Sequence, residues 1–192
     1  MTHNNVKILA FAGSSRTASL NKKLVAIAAK GATDAGADVT LIDLRDFPMP
    51  LYDGDDEAAN GLPENALKLK KLMREHHGFL IASPEYNSGY SALLKNAIDW
   101  TSRVSSKGEP PLQAFAGKTA SLMAAAPGAL GGLRGLYQLR ALLMNMNVFV
   151  HPNMRAVGNA LQQFDESGGL NDRDLQSAIE MLGAQTVSSI HL

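Results

Sequence analysis

A chain of 192 residues and 20.4 kDa fits one domain of ordinary size. It has no cysteine, which excludes thiol nucleophiles, Cys-ligated zinc, iron–sulfur clusters and a disulfide scaffold. Eighteen basic residues balance eighteen acidic ones, so the chain lacks the clustered positive charge of a general nucleic-acid binder.

The opening Met1 to Val6 carries no charged-then-apolar signal segment. The longest apolar stretch, Ala120 to Leu133, is broken by Pro127 and glycines and falls short of the roughly 20 apolar residues of a membrane span. The expectation is a cytoplasmic protein with no membrane and no nucleic-acid partner. Val6 to Ala12 then reads as a strand buried on both faces. Leu20, Leu24, Ile27 and Ala28 recur at helical spacing, and Gly36 ends that stretch. Val39 to Ile42 is a second strand. Phe47 to Gly61 is polar and punctuated and reads as an irregular loop. Leu62, Ala66, Leu69 and Met73 mark a second helix, with Pro63 near its start. Phe79 to Ala82 is a third strand, and Leu94, Ala97, Ile98 and Thr101 line a third helix. Ser102 to Gly117 reads as a second irregular loop. Thr119 to Ala125 is a fourth strand, followed by a helix carrying Leu136, Leu139, Leu143 and Met146. Val148 to Val150 is a fifth strand stopped by Pro152, and Leu175, Ile179, Leu182 and Thr186 form the last helix. Five strands alternating with five helices predict a single domain over residues 1–192, an α/β three-layer sandwich around a parallel sheet.

Three loops carry chemistry. The first runs Gly13-Ser14-Ser15-Arg16-Thr17-Ala18-Ser19-Leu20-Asn21 into a helix. A helix N-terminus offers unpaired N–H donors and the positive end of a dipole. Hydroxyls surround it here, and Arg16 can pair with a phosphate through two parallel bonds. The turn lacks both G-x-G-x-x-G and the G-K-[ST] ending of a triphosphatase loop. It therefore suits holding a terminal phosphate without acting on it, or simple capping of the helix. The second loop is Ser83-Pro84-Glu85-Tyr86-Asn87-Ser88-Gly89-Tyr90. Pro84 stiffens it, Gly89 permits close approach, and Glu85 to Asn87 offer N–H groups beyond a strand end, where open α/β sheets bind ligands. Tyr86 and Tyr90 could equally be packing aromatics. Lys95 reads as a salt-bridge partner, and Asp99 and Trp100 as structural or interface residues. The third loop, Ala125 to Gly135, is so rich in Gly, Ala and Pro that a backbone could pass close to a ligand. The histidines show no metal-site spacing: His76 and His77 are adjacent, and His3, His151 and His191 stand alone as surface residues.

These segments, GSSRTASLNKKL, SPEYNSGYSALLKNAIDWTSR and PGALGGLRGLYQLR, resemble the NADPH-dependent FMN reductase family, a flavodoxin-like group that includes chromate, quinone and azo-dye reductases. The resemblance implies strand order 2-1-3-4-5, FMN as cofactor and NADPH or NADH as co-substrate. Carried over by position, it assigns the phosphate to Ser14, Arg16, Ser19 and Asn21, with Ser15 and Leu20 beside them. Pro84, Glu85, Tyr86, Asn87 and Gly89 would follow the isoalloxazine edge, and Pro127 and Gly128 would form a further wall. It implies a homodimer or homotetramer, with contacts near Asp99-Trp100 and the loop before Leu112. The chain departs from chromate-reducing members at Ser88-Gly89-Tyr90, where they carry a bulkier, Pro-containing stretch.

The activity implied is transfer of two electrons from NAD(P)H through FMN to a small acceptor, in a ping-pong sequence. No catalytic side chain is required, because the redox chemistry is the cofactor's. Two other readings use the same fold: a flavodoxin-type carrier of single electrons, which the zero net charge disfavours, and a flavin-free binding module, which the hydroxyl-plus-Arg turn disfavours. Tyr52 and Tyr90 are candidates for shaping the acceptor pocket. Arg103 and Lys107 are candidates for reading a 2′-phosphate.

Overall fold

The structure, a computed structural model, describes residues 5–190. Strands β1 (Lys7–Ala12), β2 (Asp38–Asp43), β3 (Gly78–Ala82), β4 (Thr119–Ala125) and β5 (Phe149–Val150) lie parallel in the order β2-β1-β3-β4-β5. This is the expected flavodoxin-like order. A sixth strand, β6 (Arg155–Val157), corrects the five-strand expectation. Strands β5 and β6 share one edge of β4, with Phe149 and Val150 opposite Thr119 and Ala120, and Arg155 to Val157 opposite Met123 to Ala125. Pro152 lies between them and supplies no N–H for a continuous ladder.

The apolar strands are buried on both faces because helices cover both. From β1, Ile8, Ala10 and Ala12 pack with Leu24 and Ala28 of α1 (Leu20–Asp34) and Ile179 and Leu182 of α6 (Arg173–Ser188). Leu9 and Phe11 join the opposite cluster, with helices α3 (Glu64–Glu75), α4 (Ala92–Ser102) and α5 (Leu133–Asn145). In that cluster Phe79 meets Phe11 edge-on with ring centroids 6.4 Å apart. Helices α1 and α6 cross backbone to backbone. A Cβ on Gly31 would lie 2.0 Å from the Glu180 carbonyl oxygen, and one on Gly183 would lie 1.9 Å from that of Ala28.

The first loop read as irregular contains a short helix, α2 (Gly54–Asn60), which buries no residue. It is tied down by side chains instead. The Tyr52 hydroxyl donates to Glu57 at 2.8 Å, Arg103 Nε donates to the same carboxylate at 2.8 Å, and Trp100 Nε1 donates to the Pro50 carbonyl at 2.8 Å. The second loop is anchored by a buried ion pair between Lys70 of α3 and Glu109, whose side chains are 3% and 4% exposed. Lys70 also donates to the Arg103 carbonyl and to Ser105 Oγ, and Glu109 accepts from Ser105 N and Oγ. Burial raises the Glu109 carboxyl, but Lys70 and the two Ser105 donors outweigh it and bring its pKa down to about 2.

Among the described residues no helix is long and apolar enough to cross a membrane.

Candidate functional site

The loops after β1, β3 and β4 meet in a cavity of about 310 Å³ at the carboxyl ends of the strands. Ser14, Arg16, Ser19, Leu20 and Asn21 line it from the first loop, Pro84, Glu85 and Tyr86 from the second, and Pro127 from the third. Four residues of the expected set, Ser15, Asn87, Gly89 and Gly128, are not among its lining. Ala18, Ala125, Ala126 and Leu161 are additional walls. Leu161 was not legible in the sequence. It stands on a short turn after the unforeseen β6 and is 72% exposed.

In the first loop Gly13 is sterically required. A Cβ there would lie 2.9 Å from both Leu94 Cβ and Ser91 Oγ, and the Ser91 hydroxyl donates to the Gly13 carbonyl at 2.6 Å. Ser19 caps α1 by accepting from Lys22 N at 3.4 Å, and the first turn of α1 holds no acidic residue. Ser14 Oγ accepts from Arg16 N at 3.4 Å. Neither hydroxyl donates its own proton to another described residue. Lys22 and Arg45 are both paired with Asp43, at 2.6 and 3.0 Å, whereas Arg16 enters no ion pair among the described residues. Asn21 lines the cavity and is also a structural tie. Its Nδ2 donates to the Ala125 carbonyl and its Oδ1 accepts from Ala125 N, both at 2.9 Å. The amide thus fixes the first turn of α1 to the end of β4.

In the second loop Asn87 and Ser88 have φ of 52° and 66°, and Tyr86 and Gly89 exchange two backbone hydrogen bonds of 2.9 and 3.0 Å. This is a two-residue hairpin turn with both central residues left-handed. The expectation of N–H donors from Glu85 to Asn87 is narrowed accordingly. The Tyr86 donor is engaged in the turn, while those of Glu85 and Asn87 have no backbone partner among the described residues. The Glu85 carboxylate accepts from Arg134 Nη2 at 2.7 Å, Arg134 Nε at 3.0 Å and Gly135 N at 3.0 Å. Burial pushes this carboxyl up, but those donors prevail and hold it below the usual carboxylate value. In the third loop Gly131 has φ of 61°, and a Cβ there would lie 2.5 Å from the Val157 carbonyl carbon, so the loop closes tightly on β6.

Other expected residues take structural places. Arg103 is bound to Glu57 and stacks over the Tyr52 ring, and neither residue lines the cavity. Tyr90 packs on the core. Lys95 pairs with Asp99 at 2.7 Å, as the sequence suggests. Trp100 is fully buried within the chain, which removes it as a subunit contact. His76 and His77 follow α3 rather than lying on it. His76 is buried, with Nε2 on Thr40 Oγ1 at 2.9 Å. His151 is half-buried rather than on the surface, while His3 and His191 lie outside the described residues. A second cavity of about 380 Å³, against His77, Thr119, Phe149 and His151, lies at the opposite ends of the strands, away from the three loops.

The donor set of the first cavity fits a phosphate monoester: two hydroxyls, a helix N-terminus and a guanidinium with no ion pair among the described residues. Beyond it, Tyr86 and Asn87 of the second loop are exposed, and the backbone N–H groups of Glu85 and Asn87 have no backbone partner among the described residues.

The chain matches the NADPH-dependent FMN reductase family over residues 6–162. It is 33% identical over 180 residues to an NAD(P)H-dependent FMN reductase of Pseudomonas aeruginosa, covering 92% of this chain and 91% of that protein. It is 31% identical over 179 residues to an NAD(P)H:quinone oxidoreductase of Solanum tuberosum, covering 91% and 87%. Its fold is similar to that of FerB, a flavoenzyme NAD(P)H:(acceptor) oxidoreductase from Paracoccus denitrificans, with a TM-score of 0.76, 25% identity and coverage of 95% and 96%. The chain therefore belongs to the NADPH-dependent FMN reductase family and is an oxidoreductase that works with FMN and NAD(P)H.

Proposed function

We propose that the chain binds FMN with its phosphate in the 13–21 turn and its ring along residues 84–89, and passes two electrons from NAD(P)H to a small acceptor such as a quinone, free flavin, azo compound or chromate. The observation that carries this reading is the convergence of unengaged donors, Ser14, Ser19 and Arg16, at the start of α1 inside a cavity walled by Pro84, Glu85 and Tyr86. When bound, FMN supplies the hydride and electron chemistry. The chain's own residues bind and orient. Arg16 and the hydroxyls hold the anion, Asn21 keeps α1 in place beneath it, and the Glu85 and Asn87 N–H groups meet the ring edge. The hairpin turn holds that edge still.

Reductant and acceptor would use one open face in turn, giving ping-pong kinetics. The chain would act as a cytoplasmic, one-domain subunit of a homodimer or homotetramer, which sedimentation velocity would resolve.

The decisive experiment is an FMN titration followed by anaerobic addition of NADPH. Tight binding and direct bleaching of the flavin's visible absorbance are expected. A protein that stays colourless with excess FMN would overturn the reading. Bound flavin that ignores both NADPH and NADH, yet exchanges single electrons with a dye, would favour the carrier.

A further inference from the structure

We infer that the Glu85 side chain is a positioning latch: its carboxylate joins the ring-edge turn to the start of α5, and so fixes the backbone donors of that turn. The inference deepens the proposed function and rests on it for its consequence in FMN binding.

Helix α5 begins without a side-chain cap of its own, because its N-cap is Gly132, at φ 94°. The N–H groups of its first turn need acceptors. Glu85 supplies one from a different loop, accepting from Gly135 N at 3.0 Å and from Arg134 at 2.7 Å. An anion is favoured at that end of a helix, and a charge-assisted contact is among the stronger hydrogen bonds. The Glu85 side chain is 9% exposed, whereas Arg134 is 59% exposed. The shielded contact with the helix end is therefore the principal one, and the Arg134 contact is peripheral.

The far side of the turn is seated on the same helix end. A Cβ on Gly135 would lie 3.1 Å from the Gly89 carbonyl oxygen and 3.4 Å from Glu85 Cγ. The turn is thus gripped on both sides, by a carboxylate before it and by a carbonyl seated against Gly135 after it. Between the grips, Asn87 and Ser88 sit in left-handed conformations, which Asn tolerates in turns but Ser seldom adopts. Glu85 then has two separate tasks. Its backbone borders the cavity, and its carboxylate is engaged by α5.

The test compares Glu85→Ala, Glu85→Gln and Arg134→Met. Hydrogen exchange is measured on the FMN-free protein, and FMN affinity by titration. In Glu85→Ala the amides of Tyr86, Gly89 and Gly135 should exchange about tenfold faster or more, the scale of losing a charge-assisted bond. FMN affinity should fall by a similar factor. Glu85→Gln keeps an acceptor for Gly135 and should recover part of both. Arg134→Met should change both less than Glu85→Ala does. A folded Glu85→Ala protein with wild-type exchange at these amides would overturn the latch, as would equal losses in the Ala and Gln variants. If Glu85→Ala fails to fold, Gly135→Ala presses on Gly89 from the other side, and unchanged exchange at Tyr86 and Gly89 would then overturn it. If the wild-type protein binds no FMN, the proposed function fails, while the exchange comparison still decides the latch.

Discussion

Two loops of this molecule hold similar polar groups and use them in opposite ways. In residues 102–117 the charges are turned inward: Glu109 and Lys70 satisfy each other, with Ser105 and the Arg103 carbonyl completing the set. In residues 13–21 the hydroxyls of Ser14 and Ser19 and the guanidinium of Arg16 are left without protein acceptors among the described residues, although the turn itself is braced by Gly13 and Asn21. The first arrangement builds structure. The second is a rigid frame around unanswered donors, which is what a ligand site requires.

Breaking the inward-facing loop should have the largest effect. Glu109→Ala leaves the Lys70 ammonium buried and unpaired, and should cost about 3–5 kcal/mol of stability in denaturant unfolding. FMN affinity of the protein that remains folded should be unchanged. A loss of affinity in parallel with stability would show that the two regions are not separate. The same pair predicts a pH dependence. The folded Glu109 pKa of about 2 lies below its ordinary value of 4.5, so over that interval the unfolded chain binds more protons and stability rises with pH. The contribution is complete above about pH 4.5 and lost as pH falls toward 2. Lys70→Met should flatten that part of the stability profile, and an unaltered profile would remove the pair as its origin.

Breaking the outward-facing turn should act on binding alone. Arg16→Ala should weaken FMN by about 1.5–3 kcal/mol, the range for a charged hydrogen bond, with unfolding unchanged. Fluorescence titration gives the answer, and wild-type affinity would take Arg16 out of the site. The smallest effect is expected at the ring-edge turn. Asn87→Ala keeps the backbone donor but strains a left-handed position, and should cost about 0.5–1.5 kcal/mol, seen mainly as slower flavin bleaching in stopped flow.

The fold was legible wherever apolar period was long enough to show. Strands β1, β3 and β4 are near-continuous apolar runs, and α1, α3, α4, α5 and α6 each repeat buried residues every three or four positions. Helix α2 was not legible, because GDDEAAN buries nothing and so has no apolar face to reveal it. Strand β6 has three residues, too few for a period, and it exists because the end of β4 offers an unfilled edge. Within the site, hydroxyls and Arg16 could be read from local sequence. The Asn21 tie to Ala125 spans 104 positions and the Glu85 contact with Arg134 spans 49, so both depend on topology that residue order conceals.

The glycine crossing of α1 over α6 ties the 13–21 turn to a helix made much later in synthesis. Gly31 and Gly183 let the two backbones touch, and without α6 the inner face of α1, including Leu24 and Ala28, would lose the partners Ile179 and Leu182. A nascent chain that has emerged only as far as residue 172 already carries every residue of the cavity, yet its first helix lacks the surface that holds it steady. The seating of the 13–21 turn therefore depends on packing between helices near the two ends of the described chain.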